Sequence, residues 1–106
     1  MTTNAQQLKQ LRAIAHRLKP IVTIAQKGLA ETVCKEIDRA LSEHELIKIK
    51  IMAADRAARQ EIADEISKMT DAQRIQSIGN IVVLYRAAKK PDPRLSNILR
   101  HKAAGS

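Results

Sequence analysis

The sequence predicts an α/β fold: one compact domain in which a four-stranded mixed sheet is packed with helices. Three observations carry that prediction. Stretches with apolar residues at helical spacing alternate with short β-branched runs, in the order helix, strand, helix, strand, helix. Strands that alternate with helices favour parallel pairing. The last two apolar runs are separated by Gly79-Asn80, two turn-forming residues that predict a hairpin and so an antiparallel pair. The predicted order is therefore α-β-α-β-α-β-β. At 106 residues the chain can bury a real but modest core.

Each element has its own signal. Leu8, Leu11, Ile14, Ala15 and Leu18 recur at helical spacing, so a first amphipathic helix is predicted over roughly 5–18. Its polar face carries Lys9, Arg12, His16 and Arg17. Pro20 cannot continue that helix and biases Lys19 towards an extended conformation. Ile21–Ile24 then reads as a short strand. A second helix is predicted over about 30–43, with Val33, Cys34, Ile37, Ala40 and Leu41 on one face and Glu31 in its first turn, where a carboxylate suits the helix dipole. Ile47, Ile49 and Ile51 alternate with Lys48, Lys50 and Met52, the pattern of a half-buried strand with one basic face. Asp55 is the expected N-cap of a third helix whose apolar side holds Ala58, Ile62, Ala63, Ile66 and Met69. Arg74–Ile78 and Ile81–Arg86 are the strands of the hairpin. Residues 1–88 are expected to form the domain. Residues 89–106, rich in turn residues and positive charge, are expected to be a mostly mobile basic tail in which Leu95, Ile98 and Leu99 can form one docking turn.

Composition narrows the function. Hydrophobic residues make up 44% of the chain, yet there is no Trp or Phe, and Tyr85 is the one aromatic. The core must come from Ile, Leu, Val, Ala and Met, and platforms that stack bases on aromatic rings are disfavoured. Net charge is +8, which suits a polyanionic partner. Its distribution is sharper than its total. Residues 1–30 hold five basic and no acidic residues, 31–71 hold seven and ten, and 72–106 hold seven and one. Both ends are cationic and the middle is not. A single cysteine, Cys34, excludes an internal disulfide, as in a reducing compartment. The first ten residues lack an apolar signal core, and no apolar run approaches the ~18 residues of a membrane span. A soluble, cytoplasmic protein without membrane attachment is expected.

Catalytic and metal chemistry find little support. Cys34 shares a helical face with Ile37 and Leu41, which predicts a buried, inert thiol instead of a nucleophile. His16, His44 and His101 are scattered, and no pair of His or Cys has metal-ligand spacing. The carboxylates fall mostly on exposed helix faces, where Glu36, Arg39 and Glu43 fit surface pairing. No enzyme, cofactor or metal is expected. The loop Ala25–Gly28 is different. A strand that feeds a helix through a tight loop tipped by Lys27 offers backbone N–H groups and a cation at one exposed point, a geometry suited to phosphate. A glycine there can also serve only the turn. Lys48 and Lys50 can be a contact surface or a solvated strand face, depending on which face of the last strand lies beside them.

Several blocks in order resemble the CRM domain, the chloroplast RNA splicing and ribosome maturation module, in its stand-alone bacterial, YhbY-like form. The blocks are Leu18-Lys19-Pro20, IAQKGLAE at 24–31, HELIKIKI at 44–51 and IGNIVVLYR at 78–86; with their helical spacers they span roughly 5–87. The resemblance implies an α/β domain related in topology to the C-terminal domain of a bacterial translation initiation factor. It implies RNA binding without catalysis and, for the stand-alone bacterial members, association with precursors of the large ribosomal subunit. It also implies that a Gly-x-x-Gly loop meets the RNA backbone. Here Gly28 is the second glycine and Gln26-Lys27 the variable pair, while Ala25 replaces the first glycine and puts close backbone approach at that position in doubt. Ala30 stands where a Ser or Thr cap is common, which leaves N–H groups free for an anion or costs about 1 kcal/mol.

The resulting expectation is a monomeric, non-catalytic protein that binds structured ribosomal RNA of the large-subunit precursor, with ribosomal proteins as further candidate partners. Gln26, Lys27 and Gly28 are the expected phosphate contact. Lys9, Arg12, Arg17 and Lys19 extend the positive surface along the first helix, and Lys48, Lys50, Arg86, Lys89 and Lys90 are secondary candidates. The scarcity of aromatics favours recognition of shape and backbone. The rival reading is an adaptor whose apolar tail turn docks on a ribosomal protein or assembly factor. A basic module for DNA or acidic membranes is a further alternative.

Overall fold

A computed structural model describes residues 4–25 and 29–100. Its elements are α1 (Ala5–His16), β1 (Pro20–Ile24), α2 (Glu31–His44), β2 (Leu46–Ile51), α3 (Arg56–Thr70), β3 (Gln73–Ile78) and β4 (Ile81–Tyr85). The strands form one sheet in the order β1-β2-β4-β3, with β1 and β2 parallel and the two remaining pairings antiparallel. The predicted order and mixed sheet are both present.

The sheet is the middle of three layers. On one face, Val22, Ile24, Ile47, Ile49, Ile51, Val82 and Leu84 pack against α2 and α3 through Ile37, Ala40, Leu41, Ala63 and Ile66. On the other, Leu46, Ile75 and Val83 pack against α1 through Leu11 and Ala15. Strand alternation produces this division: successive side chains of β2 point to opposite faces, so the three isoleucines meet α2 and α3 while Leu46, Lys48 and Lys50 share the face of α1.

Local chemistry sets the helix ends. Asn4 and Gln7 form a capping box at α1, Asn4 Oδ1 accepting from the Gln7 N–H at 2.8 Å and Gln7 Oε1 from the Asn4 N–H at 3.1 Å. Asp55 caps α3 as predicted, its Oδ1 accepting from the Ala58 N–H at 2.8 Å. Ala30 caps α2 with no side-chain acceptor. The hairpin turns at Gly79, whose φ of +57° is readily adopted without a Cβ. The turn register pairs Ile78 with Ile81 and Gln76 with Val83, and a bulge at Ile75 then shifts Arg74 opposite Leu84. That one-residue slip sends Arg74 to the α3 side, where its guanidinium meets Asp64 at 3.0 Å and Gln60 at 3.1 Å.

The segment after β4 returns to the domain through Ala88 and through the turn around Leu95–Ile98, the apolar turn expected to dock, while residues 89–94 are exposed. Glu45 ends α2 with φ +62° and is 6% exposed. Its Oε2 accepts from the Ala88 N–H at 2.8 Å and its Oε1 from the hydroxyl of Ser96, itself fully buried, at 2.6 Å. His44 Nδ1 donates to the Leu95 carbonyl at 2.8 Å, Asn97 Nδ2 to the Leu46 carbonyl at 2.7 Å, and Ile98 packs on the α1-side core. A polar anchor hidden in a turn residue thus holds a segment whose composition alone suggests a loose end. Cys34 is half-buried instead of buried, and Met69 is 56% exposed; their sulfurs lie 3.8 Å apart at the α2–α3 seam, where neither reaches the core.

Candidate nucleic-acid interface

The sheet settles what surrounds Lys48 and Lys50. Antiparallel register puts Lys48 opposite Val83 and Lys50 opposite Ile81, so both lysines share a face with Ile81, Val83 and Tyr85. This is the face that α1 covers only in part. Neither α1 nor any of the four strands contains an acidic residue. The carboxylates lie in α2, α3, their flanking turns and Asp92. The charge separation seen along the chain becomes a separation between layers.

The basic side chains divide accordingly. Lys9, Arg12 and His16, at three- and four-residue spacing, lie along one flank of α1 and are all exposed, as are Arg17 and Lys19 beyond its end. His16 and Lys48 line one hollow over the sheet. On its other side Lys48 lines a second hollow of about 200 Å3 together with Lys19 and Arg100. Lys48 is thus the point where helix, sheet and C-terminal turn meet. Arg100 joins this set only because the last segment docks; no periodic or compositional signal marks it.

Arg86 does not share this surface. Its guanidinium donates to Asp38 Oδ1 at 2.7 Å, the Thr70 carbonyl at 2.8 Å, the Asp38 carbonyl at 2.9 Å and Ser42 Oγ at 2.9 Å. It clamps the C-terminal ends of α2 and α3 to the end of β4, on the opposite side of the sheet from Lys48. Lys89 and Lys90 are exposed at the start of the docked segment. Gln26, Lys27 and Gly28 lie outside the described residues. The strand before them, β1, ends beside β2, where the Met52 N–H donates to the Ile24 carbonyl at 2.9 Å, and Ile51 N–H donates to the Asn80 carbonyl at 2.8 Å. The end of β1 at Ile24 therefore lies at the same end of the sheet as the hairpin turn and Lys50.

The surroundings of Cys34 disfavour its reactive form. Burial first, then the carboxylates of Glu65 and Glu31, push the Cys34 thiol above its ordinary value of 9.0, which disfavours the thiolate. Among the described residues, no group of three His, Cys, Asp or Glu is placed to hold a metal ion, and no helix is long and apolar enough to cross a membrane.

Comparison with known proteins agrees with this architecture. The chain is 42% identical over 100 residues to a probable RNA-binding protein of Pseudomonas aeruginosa, covering 94% of this chain and 96% of the relative. It is 45% identical over 91 residues to an RNA-binding protein of Haemophilus influenzae, covering 85% and 92%. The solution structure of a hypothetical protein from Staphylococcus aureus superposes with a TM-score of 0.74 at 32% identity, covering 84% of this chain and 93% of that one. The family model of the CRS1 / YhbY (CRM) domain matches residues 4–86, a span that takes in all seven elements and stops just short of the docked C-terminal segment. This chain belongs to the CRS1 / YhbY (CRM) domain family.

Proposed function

We propose that this is a non-catalytic RNA-binding protein that engages structured ribosomal RNA and associates with precursors of the large ribosomal subunit during their assembly. The observation that carries the reading is the layered charge: α1 and the sheet hold cations and no acid, and Lys48 joins the helix flank to the sheet and to Arg100. A continuous cationic surface suits phosphates presented by a folded RNA. Relatives named as RNA-binding proteins support the ligand class. The ribosomal target rests on the resemblance to the stand-alone bacterial form of the family. In this reading Lys27 and the Gly28 amide meet the backbone at the loop, with Gln26 beside them, and Lys9, Arg12, Arg17, Lys19, Lys48 and Lys50 extend the contact.

The adaptor reading loses its main support, because the apolar turn around Ile98 is packed on the chain's own core. The decisive experiment is crosslinking of the protein to RNA in cells, followed by gradient sedimentation. The expected result is crosslinks within large-subunit ribosomal RNA and co-sedimentation with precursors in preference to mature subunits. Crosslinks confined to other RNA, or equal occupancy of mature subunits, would overturn the assembly role.

A further inference from the structure

The α1 helix is too short to cover its face of the sheet. It ends at His16, and beyond that residue the sheet is left open over a hollow of about 160 Å3. Ile81 and Val83 form its floor, Ile78 one wall, and His16, Lys48 and Gln76 its polar rim. Ile78 is 63% exposed, a large apolar side chain in water beside the half-buried Ile81. The hairpin register enforces this placement, since the pairs Ile78–Ile81 and Gln76–Val83 share the face of Lys48.

The polar rim is unengaged. Among the described residues, the side chains of His16, Lys48 and Gln76 take part in no hydrogen bond or ion pair. This contrasts with Arg74, Arg86 and Glu45, whose side chains are held by hydrogen bonds across the fold. An imidazole, an ammonium and a carboxamide that donates and accepts therefore converge on an apolar slot with no partner of their own. A cavity of about 150 Å3 is known to hold a benzene ring, so the slot admits one six-membered ring. With two lysines on the face and no acid lining the hollow, the site favours a ring that carries negative charge nearby.

We propose that this hollow is a pocket for a single unstacked nucleobase, a site that gives the RNA-binding reading, on which it rests, one point of base contact. The base would lie with its ring against Ile78, Ile81 and Val83. Its polar edge would meet Gln76 and His16, and its phosphate would meet Lys48, with Lys50 beside it. Aliphatic walls replace the aromatic platform that the chain lacks, so the site takes one base projecting from a structured RNA and not a splayed strand.

The test uses the full chain and RNA hairpins in three forms: fully paired, with one bulged nucleotide (each of the four bases in turn), and with an abasic bulge at the same position. The expected result is that at least one bulged base binds about tenfold more tightly than the abasic form, the lower range for one recognised base. Gln76→Ala and Ile78→Lys should remove that difference while melting like the parent chain. Ile78→Lys is the sharper variant, because it adds a cation: purely electrostatic binding would rise, whereas base discrimination should vanish. Equal binding of every bulged and abasic hairpin by the parent chain would overturn the pocket and leave the RNA-binding reading intact. Discrimination that survives in both variants would place base recognition elsewhere and also overturn it. Failure to bind any hairpin at low salt would overturn the RNA-binding reading itself.

Discussion

Lys48 and Arg86 show how two cations of similar sequence context come to different ends. Lys48 lies on the α1 side of the sheet, half-buried, between two hollows neither of which is lined by an acid. Arg86 is one residue beyond β4 and turns to the other side, where four acceptors hold it. Lys48→Glu is therefore expected to weaken RNA binding roughly tenfold at ~0.1 M salt, because a phosphate contact becomes a repulsion. Arg86→Met should leave RNA affinity unchanged in the folded protein and lower stability by about 1–3 kcal/mol, since Thr70 and Asp38 lose a charged donor. Filter-binding titrations and denaturant melts of the two variants separate these effects. Tyr85 makes a third case. Burial first, then the charge of Glu45, raise its phenol above the ordinary value of 10.0. The folded state keeps that proton longer than the unfolded state. The contribution is fully present below pH ~10 and is lost as the pH rises through the folded value. In a Cys34→Ser background, which removes the other raised group, Tyr85→Phe should flatten the decline of stability above pH ~10 in urea melts.

Among the elements, the docked segment after β4 carries the largest consequence. Glu45 holds a backbone conformation that costs of order 1–3 kcal/mol for a residue with a Cβ. It is over-determined there: its N–H donates to the Leu41 carbonyl at 2.9 Å, its carbonyl accepts from the Arg86 N–H at 2.9 Å, and both carboxylate oxygens are engaged. The capped end of α2, the start of β2 and residues 88–98 form one unit. Ser96→Ala would leave one oxygen of a buried carboxylate without its donor, and the expected cost is about 1–3 kcal/mol. For a domain of this size each kcal/mol corresponds to a fall in Tm of about 4–8 °C. Thermal melts of Ser96→Ala and of a chain lacking residues 89–106 should both show that loss, with the truncation the more severe. A truncated chain that melts like the parent would show the segment to be dispensable.

At the scale of the whole molecule, separation of charge between the two helical layers governs association. Most acids belong to α2, α3 and their flanking turns, and none lines either hollow beside Lys48. RNA binding should then weaken steeply with salt, with log affinity falling against log salt at about 0.7–0.9 per phosphate neutralised. Replacing Lys19 and Lys48 together by Gln should lower that slope by about 1–2, because two phosphate contacts are removed. A shallow slope in the parent chain would point to apolar association instead.

The amino-acid sequence alone determined the elements, their order and the mixed character of the sheet, because helical and strand periodicities, Pro20, Asp55 and Gly79-Asn80 act over a few neighbouring residues. It also marked the strand–loop–helix connection through Ala25–Gly28 and the cationic ends of the chain. The capping pair Asn4 and Gln7 acts at the same range. Only the tertiary structure decided which strand face lies beside Lys48, where the bulge at Ile75 sends Arg74, why Arg86 is an internal clamp, and that Glu45 gathers in the C-terminal segment with Arg100. Those outcomes depend on pairing register and on partners ten or more residues apart. A single residue of register reverses the face of every side chain beyond it, and local spacing carries no record of that choice.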